Sequence, residues 1–296
     1  MKLLPFILIV LLLIIAILFV IKFLLYPNKD LYNDIKYMNF KGKFIIPKIL
    51  HQTYSDWEKI SPSVINVIQE NLKMNPKWKY SFYDNKAIDK YIKEHESNYV
   101  YKAYKKLNPK FGAAIADLFR YIVIYHEGGV YMDIKSKTNI PLDNWVHKDK
   151  LQLCLFGSEN ILLKKYFNDD KFKNIVPREF QQVILVYPKK HNILRILIDT
   201  ICNNIYKYNN NKLSYLPKKI QNGYKILSLT GPWIYTKVLM PYVINNWNNC
   251  IIYNLNGYNG LYNGYVLYDG TNGEYHKEQH KKKIHYLEQN ENLVLN

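Results

Sequence analysis

The sequence predicts an α/β domain, a mainly parallel sheet flanked by helices, carried behind a transmembrane helix. Short β-branched and aromatic runs alternate with stretches whose apolar residues recur every three to four positions, the pattern of strands feeding crossover helices. The 296-residue chain is 48% hydrophobic, enough for one packed core. Residues 3–21 are almost wholly Leu, Ile, Val, Phe and Ala without a charge, about the length that crosses a hydrocarbon core.

Taken in order, residues 1–26 read as an uncleaved single-pass anchor. The apolar run exceeds a signal-peptide core, and Lys22-Phe23-Leu24-Leu25-Tyr26-Pro27 offers no small-residue cleavage site. Residues 27–44 are polar and mixed, suiting a linker, and residues 45–296 form the globular domain. Its first strand, 48–52, is introduced by Pro47. A helix over 61–74 follows, with Ser61 placed to cap it, Pro62 in its first turn, and Val64, Ile68 and Leu72 on its apolar face. Residues 79–83 alternate as a second strand closed by Asp84-Asn85, and helices are predicted at 86–95 and 98–107.

The next run organises the chain. Residues 113–126 contain no Pro or Gly, and Ile115, Leu118, Ile122 and Tyr125 give one helical face to bury. Asp117 and Arg120 then lie one turn apart. Gly128-Gly129 fits the helix stop, where a conformation costly for any side chain is needed. Val130, Met132 and Ile134 alternate with Tyr131 and Asp133 as a strand would, and polar residues from Lys135 end it. Asp84 and Asp133 thus both occupy carboxyl ends of strands, where parallel sheets bind their ligands. Taken singly, Asp117 and Arg120 would be an ordinary surface pair and Asp133 a strand-end residue.

Continuous apolar runs at 151–156 and 183–187 predict buried strands, and a helix covers 192–208. The Asn-rich stretch 203–211 and the segment onward to Gly223 read as polar surface, and 157–182 and 209–228 as loops. Thr230-Gly231-Pro232 leads a helix near 233–243. From Ile251 the repeated Tyr, Asn and Gly suggest short strands and loops, with no second domain.

The net charge of +17 suggests an anionic partner: nucleic acid, a membrane surface or a phosphorylated ligand. The basic residues are mostly dispersed lysines, with no zinc spacing, helix-turn-helix signal or RNP-like motif, which argues against nucleic acid. Three cysteines lie far apart without Cys-x-x-Cys, so neither a zinc site nor a disulfide framework is indicated. No P-loop, Gly-x-Gly-x-x-Gly or Ser-His-Asp order appears, which removes support for kinase and hydrolase readings.

Asp117-Leu118-Phe119-Arg120, Gly128-Gly129 and Asp133-Ile134-Lys135, with Ile46-Pro47-Lys48-Ile49-Leu50-His51-Gln52 upstream and Thr230-Gly231-Pro232 downstream, resemble glycosyltransferase family 32, the Och1-like mannosyltransferases with a DXD motif. The resemblance spans most of the chain beyond the anchor. It implies a GT-A-type, Rossmann-like fold that binds a nucleotide-sugar and transfers a hexose to a glycan or glycolipid hydroxyl, with retention. It also implies that Asp117 and Arg120 grip the donor, and that Asp133 contacts the ribose hydroxyls or a Mn²⁺ or Mg²⁺ ion, so Asp133 and Asp117 are the expected catalytic residues. His51, Trp57 and Asp84 are further donor-binding candidates, with Tyr54 and Trp57 placed to stack on the base.

One residue departs from the pattern. Lys135 stands where the second carboxylate of Asp-x-Asp belongs, so its ammonium either repels a divalent cation or stabilises the diphosphate directly. A metal, if held, would be shared between Asp133 and His276 or His280, which stand at i and i+4. The alternative is an inactive relative acting as a sugar- or polyanion-binding membrane protein. The lysines flanking residues 3–21 favour a cytoplasmic domain, the resemblance a lumenal one, so the side of the membrane stays open.

Overall fold

The structure, a computed structural model, describes residues 44–156, 179–210, 218–255, 261–262, 266–267, 269–282, 285, 287, 289 and 291–295. The chain divides into two units, Met1–Asn39 and Phe40–Asn296. The predicted anchor lies outside the described residues, as does most of the predicted loop 157–182. Among the described residues no helix is long and apolar enough to cross a membrane.

The second unit is built on a sheet of nine strands among the described residues. In chain order these are β1 (Ile49–Thr53), β2 (Lys79–Tyr83), β3 (Gly129–Met132), β4 (Lys137–Thr138), β5 (Leu151–Phe156), β6 (Phe180–Tyr187), β7 (Cys250–Leu255), β8 (Leu261–Tyr262) and β9 (Val266–Leu267). Their spatial order is β2-β1-β3-β6-β5-β7-β8-β9-β4. Pairs β1/β2, β1/β3 and β5/β7 are parallel, whereas β6 runs antiparallel to both its neighbours and the β7-β8-β9-β4 edge is antiparallel. The sheet is therefore mixed, which corrects the mainly parallel expectation. A strand buried on both faces, as β6 is throughout, presents the same apolar run in either direction, so its sequence does not reveal which way it points.

The helices are α1 (Pro62–Met74), α2 (Asn85–His95), α3 (Asn98–Lys106), α4 (Gly112–Glu127), α5 (Leu142–Trp145), α6 (Asn192–Tyr206), α7 (Lys218–Leu229), α8 (Pro232–Asn245) and α9 (Glu274–Lys281). α4 packs on β3, β6 and α6, and α8 on β6, α6 and α7. α7 occupies part of what the sequence suggested was a polar loop. Its polar residues, three of them lysines, conceal a buried row, Asn222, Ile226 and Leu229, at helical spacing.

Strand alternation divides the core. Val130, Met132, Ile184 and Val186 pack with Leu142, Trp145 and Trp78 on one face, while Tyr131 turns to the opposite face, under α4. The strand directions bring the carboxyl ends of β1, β2, β3, β5 and β7 and the amino end of β6 to a common edge of the sheet. Thr53, Asp84, Asp133 and Glu179 lie there.

Candidate active site

The site begins with a helix that is buried nearly all round. From Asp117 to Ile124 every residue of α4 is buried, not only the apolar stripe. Asp117 and Arg120 are thus an interior pair rather than a surface one, 3.2 Å apart and 5% and 7% exposed. Interior charges require partners. The Asp117 carboxylate accepts from Gln182 Nε2 at 2.6 Å and from the Thr230 hydroxyl at 3.0 Å. Burial pushes this carboxyl up to about 6, with Arg120, Thr230 and Gln182 pulling the other way.

The Arg120 guanidinium lies over the Tyr131 ring, 4.8 Å from its centre. Nη1 donates to the Gln182 carbonyl at 2.8 Å and meets Asp133 Oδ1 at 3.0 Å. Desolvation opposes its charge, but Asp133, Tyr131 and Asp117 outweigh burial and hold it ionised. Arg120 is therefore the link between the buried Asp117 and the sheet-edge Asp133.

Two glycines set that distance. Gly128 and Gly129 have φ of 65° and 96°, and a Cβ on Gly129 would stand 2.6 Å from the Ile49 carbonyl oxygen of β1. Without side chains the helix can stop and β3 can lie against β1 at once. After Met132 the Asp133 amide still donates to the Val183 carbonyl at 2.8 Å, and the chain turns, Ser136 N to Asp133 O at 2.8 Å. The Asp133 carboxylate, 22% exposed, is left at the sheet edge.

The C-terminal segment closes over this turn. The Gly270 amide donates to the Lys135 carbonyl at 2.7 Å, and the Asp269 carboxylate accepts from the amide and hydroxyl of Thr271. The Lys135 side chain is buried, its Nζ 2.6 Å from His276 Nε2 and 5.1 Å from the centre of the Tyr275 ring. Burial lowers the Lys135 pKa while Asp133 and Asp269 raise it. Burial and the Lys135 charge lower that of His276, and because an ammonium can only donate, Nε2 is the acceptor in this contact. Gln279 Nε2 donates to the Tyr54 hydroxyl at 3.0 Å, tying α9 to the end of β1.

The remaining sequence candidates lie elsewhere. His51 is 1% exposed, with Nε2 3.0 Å from the Gly128 carbonyl and Nδ1 3.3 Å from the Tyr83 hydroxyl. Both ring nitrogens are engaged beneath the sheet edge, and burial lowers its pKa to about 4, so the expected donor contact is not the role its geometry gives it. Asp84 accepts from the Ala87 amide at 2.7 Å as the N-cap of α2. Trp57, 45% exposed, meets Phe82 edge-on and presents the rest of its ring to solvent. His280 stacks on His285, ring centres 4.3 Å apart.

These residues do not fit a divalent cation. The position of the second carboxylate holds an ammonium, the His276 nitrogen is occupied by that ammonium, and Asp133 is paired with Arg120. Among the described residues no three His, Cys, Asp or Glu side chains are grouped to ligate a metal. A divalent ion beside the buried Lys135 ammonium would meet repulsion on the order of several kcal/mol.

Sequence reasoning missed Gln182, Asp269 and Glu179. The last is a buried carboxylate that accepts from Trp233 Nε1 at 2.9 Å and Gln181 Nε2 at 2.6 Å. Glu179, Gln181 and Gln182 surround Phe180 ahead of the apolar run 183–187, and their polarity made the strand seem to begin three residues late.

Residues 61–152 match the family described as glycosyltransferase sugar-binding region containing DXD motif. The initiation-specific alpha-1,6-mannosyltransferase of Schizosaccharomyces pombe is 29% identical over 136 residues, 45% of this chain and 32% of its own length. Mannosyl phosphorylinositol ceramide synthase SUR1 of Saccharomyces cerevisiae is 33% identical over 99 residues, 33% of this chain and 25% of its own. Matches to these two relatives thus span a third or less of their length. Among solved structures, the PaToxG glycosyltransferase aligns over 73% of this chain and 77% of its own, at 17% identity and a TM-score of 0.45.

Proposed function

We propose that the chain, whose residues 61–152 match the glycosyltransferase sugar-binding region containing DXD motif, is a membrane-anchored hexosyltransferase of GT-A type. It moves a hexose from a nucleoside diphosphate to a hydroxyl of a glycan or glycolipid, with retention of anomeric configuration. The relatives' names favour mannose as the sugar and, in one case, an inositol phosphoceramide lipid as acceptor. Residues 3–21 hold the domain at the membrane where such a lipid resides.

One observation carries the reading: Asp117, Arg120 and Asp133 form a continuous chain of contacts from the helix interior to the sheet edge. In the reaction the bond between the anomeric carbon and the β-phosphate oxygen breaks, its electron pair remaining on the nucleoside diphosphate. The acceptor oxygen bonds to that carbon, and its proton passes to the departing phosphate. Asp133 binds donor hydroxyls at the cleft. Arg120 and Asp117, paired with each other and held by Gln182 and Thr230, position it. Trp57 offers its exposed face to the base.

A panel of UDP-, GDP- and ADP-sugars tested on the full chain in detergent separates the possibilities. One donor series should raise the melting temperature by mass action, and that donor should be hydrolysed slowly without acceptor. Asp133→Asn should lower turnover at least about a hundredfold, the scale expected when a positioned charged contact is lost. Lys135 favours a second reading, a sugar- or polyanion-binding protein with a decayed site. Donor binding by the wild type with no turnover on any glycan or glycolipid would select it.

A further inference from the structure

A carboxylate holding a divalent cation brings one net positive charge to a site, and a single ammonium brings the same. The exchange of a second aspartate for Lys135 therefore leaves the electrostatic demand of a departing diphosphate met, provided the ammonium is held next to Asp133. It is held there: the buried side chain rests its Nζ on His276 Nε2 at 2.6 Å and against the Tyr275 ring, on the turn that also presents Asp133. His276, with no proton on Nε2, fixes the ammonium without adding charge. The segment that delivers His276 and Tyr275 is itself pinned to the motif by the Gly270 amide on the Lys135 carbonyl.

We propose that Lys135, seated on His276 and Tyr275, is the resident cation of this site and binds the donor's diphosphate without a divalent metal. The inference rests on the glycosyltransferase reading and narrows it to a metal-independent donor site. It also gives the C-terminal helix α9 a task, since His276 and Tyr275 position the ammonium. In group transfer the ammonium stabilises the negative charge that the broken anomeric bond leaves on the β-phosphate oxygen.

The test measures binding of GDP and UDP to the full chain in detergent by titration calorimetry, in EDTA and then in MnCl2. Wild-type affinity for the preferred nucleotide should be the same in both. Lys135→Asp, which restores Asp-x-Asp, should bind at least roughly tenfold more weakly in EDTA, the equivalent of one charged hydrogen bond, and should recover affinity on adding Mn²⁺. His276→Ala should weaken metal-free binding as well, by releasing the ammonium from its seat. Wild-type binding that appears only with Mn²⁺ overturns the inference and leaves the enzyme reading standing. Failure to bind either nucleotide under both conditions overturns the two together. The wild-type arm decides the matter even if Lys135→Asp does not fold.

Discussion

Burial sets the chemistry of single residues here, and His51 shows how. Its ordinary pKa of 6.5 is lowered to about 4 because the fold withholds water from the imidazolium. A depressed pKa contributes stability that is complete above 6.5 and is lost as pH falls through about 4. At 1% exposure the shift is worth about 3 kcal/mol by linkage. Urea unfolding at pH 7, 5 and 4 should therefore show wild-type stability falling more steeply than that of His51→Gln, by about that amount. Equal slopes would remove His51 from the account. Asp117 works in the opposite sense, its raised pKa favouring the fold at low pH, so the difference between the two proteins is the quantity to read. At this scale the sequence was legible where spacing is local: Asp117, Arg120 and Asp133 fall within one helix-turn-strand. It was silent on Gln182 and on the contact that Thr230, noted only as part of Thr230-Gly231-Pro232, makes with Asp117 from 113 positions away, Gln182 reaching it from 65, and on Asp269, which comes to the motif only through the fold.

Elements were legible in kind and less so in direction. The helix 113–126, the strands at 48–52 and 79–83 and the glycine stop follow from periodicity, and the structure places them within a few residues. Strand direction and the existence of α7 did not follow, the first because a doubly buried strand reads the same both ways, the second because the buried face of α7 includes the polar Gln221, Asn222 and Lys225 beside Ile226 and Leu229. The glycine stop shows which element-level detail the site depends on. Gly129 holds φ at 96° with β1 too close for a side chain, so Gly129→Ala must either strain the backbone or push β3 from β1. The cost should be about 3 kcal/mol, read as a lower urea midpoint. Donor affinity should fall too, because Asp133 directly follows β3. Gly112→Ala is the control: nothing lies within 4 Å of its added methyl, and it sits in the first turn of α4, so stability should hold or rise slightly.

Across the whole domain, the C-terminal segment ties back to the middle of the chain. After crossing the site at residues 269–282 it reaches the junction of α3 and α4, where Val294 bridges Leu107 and the Asn108 amide donates to the Leu293 carbonyl at 2.9 Å. Asn108 Nδ2 donates to the Asn292 carbonyl at 2.8 Å, and Asn210 Nδ2 to that of Val294 at 2.7 Å. Leu293 and Val294 are 1% and 5% exposed. Each contributes roughly 1.5 to 3 kcal/mol by burial, an upper bound given a compact unfolded chain. Deleting residues 291–296 should therefore lower stability by about 3 to 5 kcal/mol. Amide exchange should accelerate first at residues 107–116, the entry to α4, because the lost contacts meet there and local opening follows local contact. The same deletion leaves the contacts of Lys135 with His276 and Tyr275 intact. Nucleotide affinity measured where the truncated domain is still folded should accordingly fall far less than in His276→Ala. If affinity collapsed while residues 107–116 stayed protected, the C-terminal residues would be acting on the cleft directly rather than through the seat of α4.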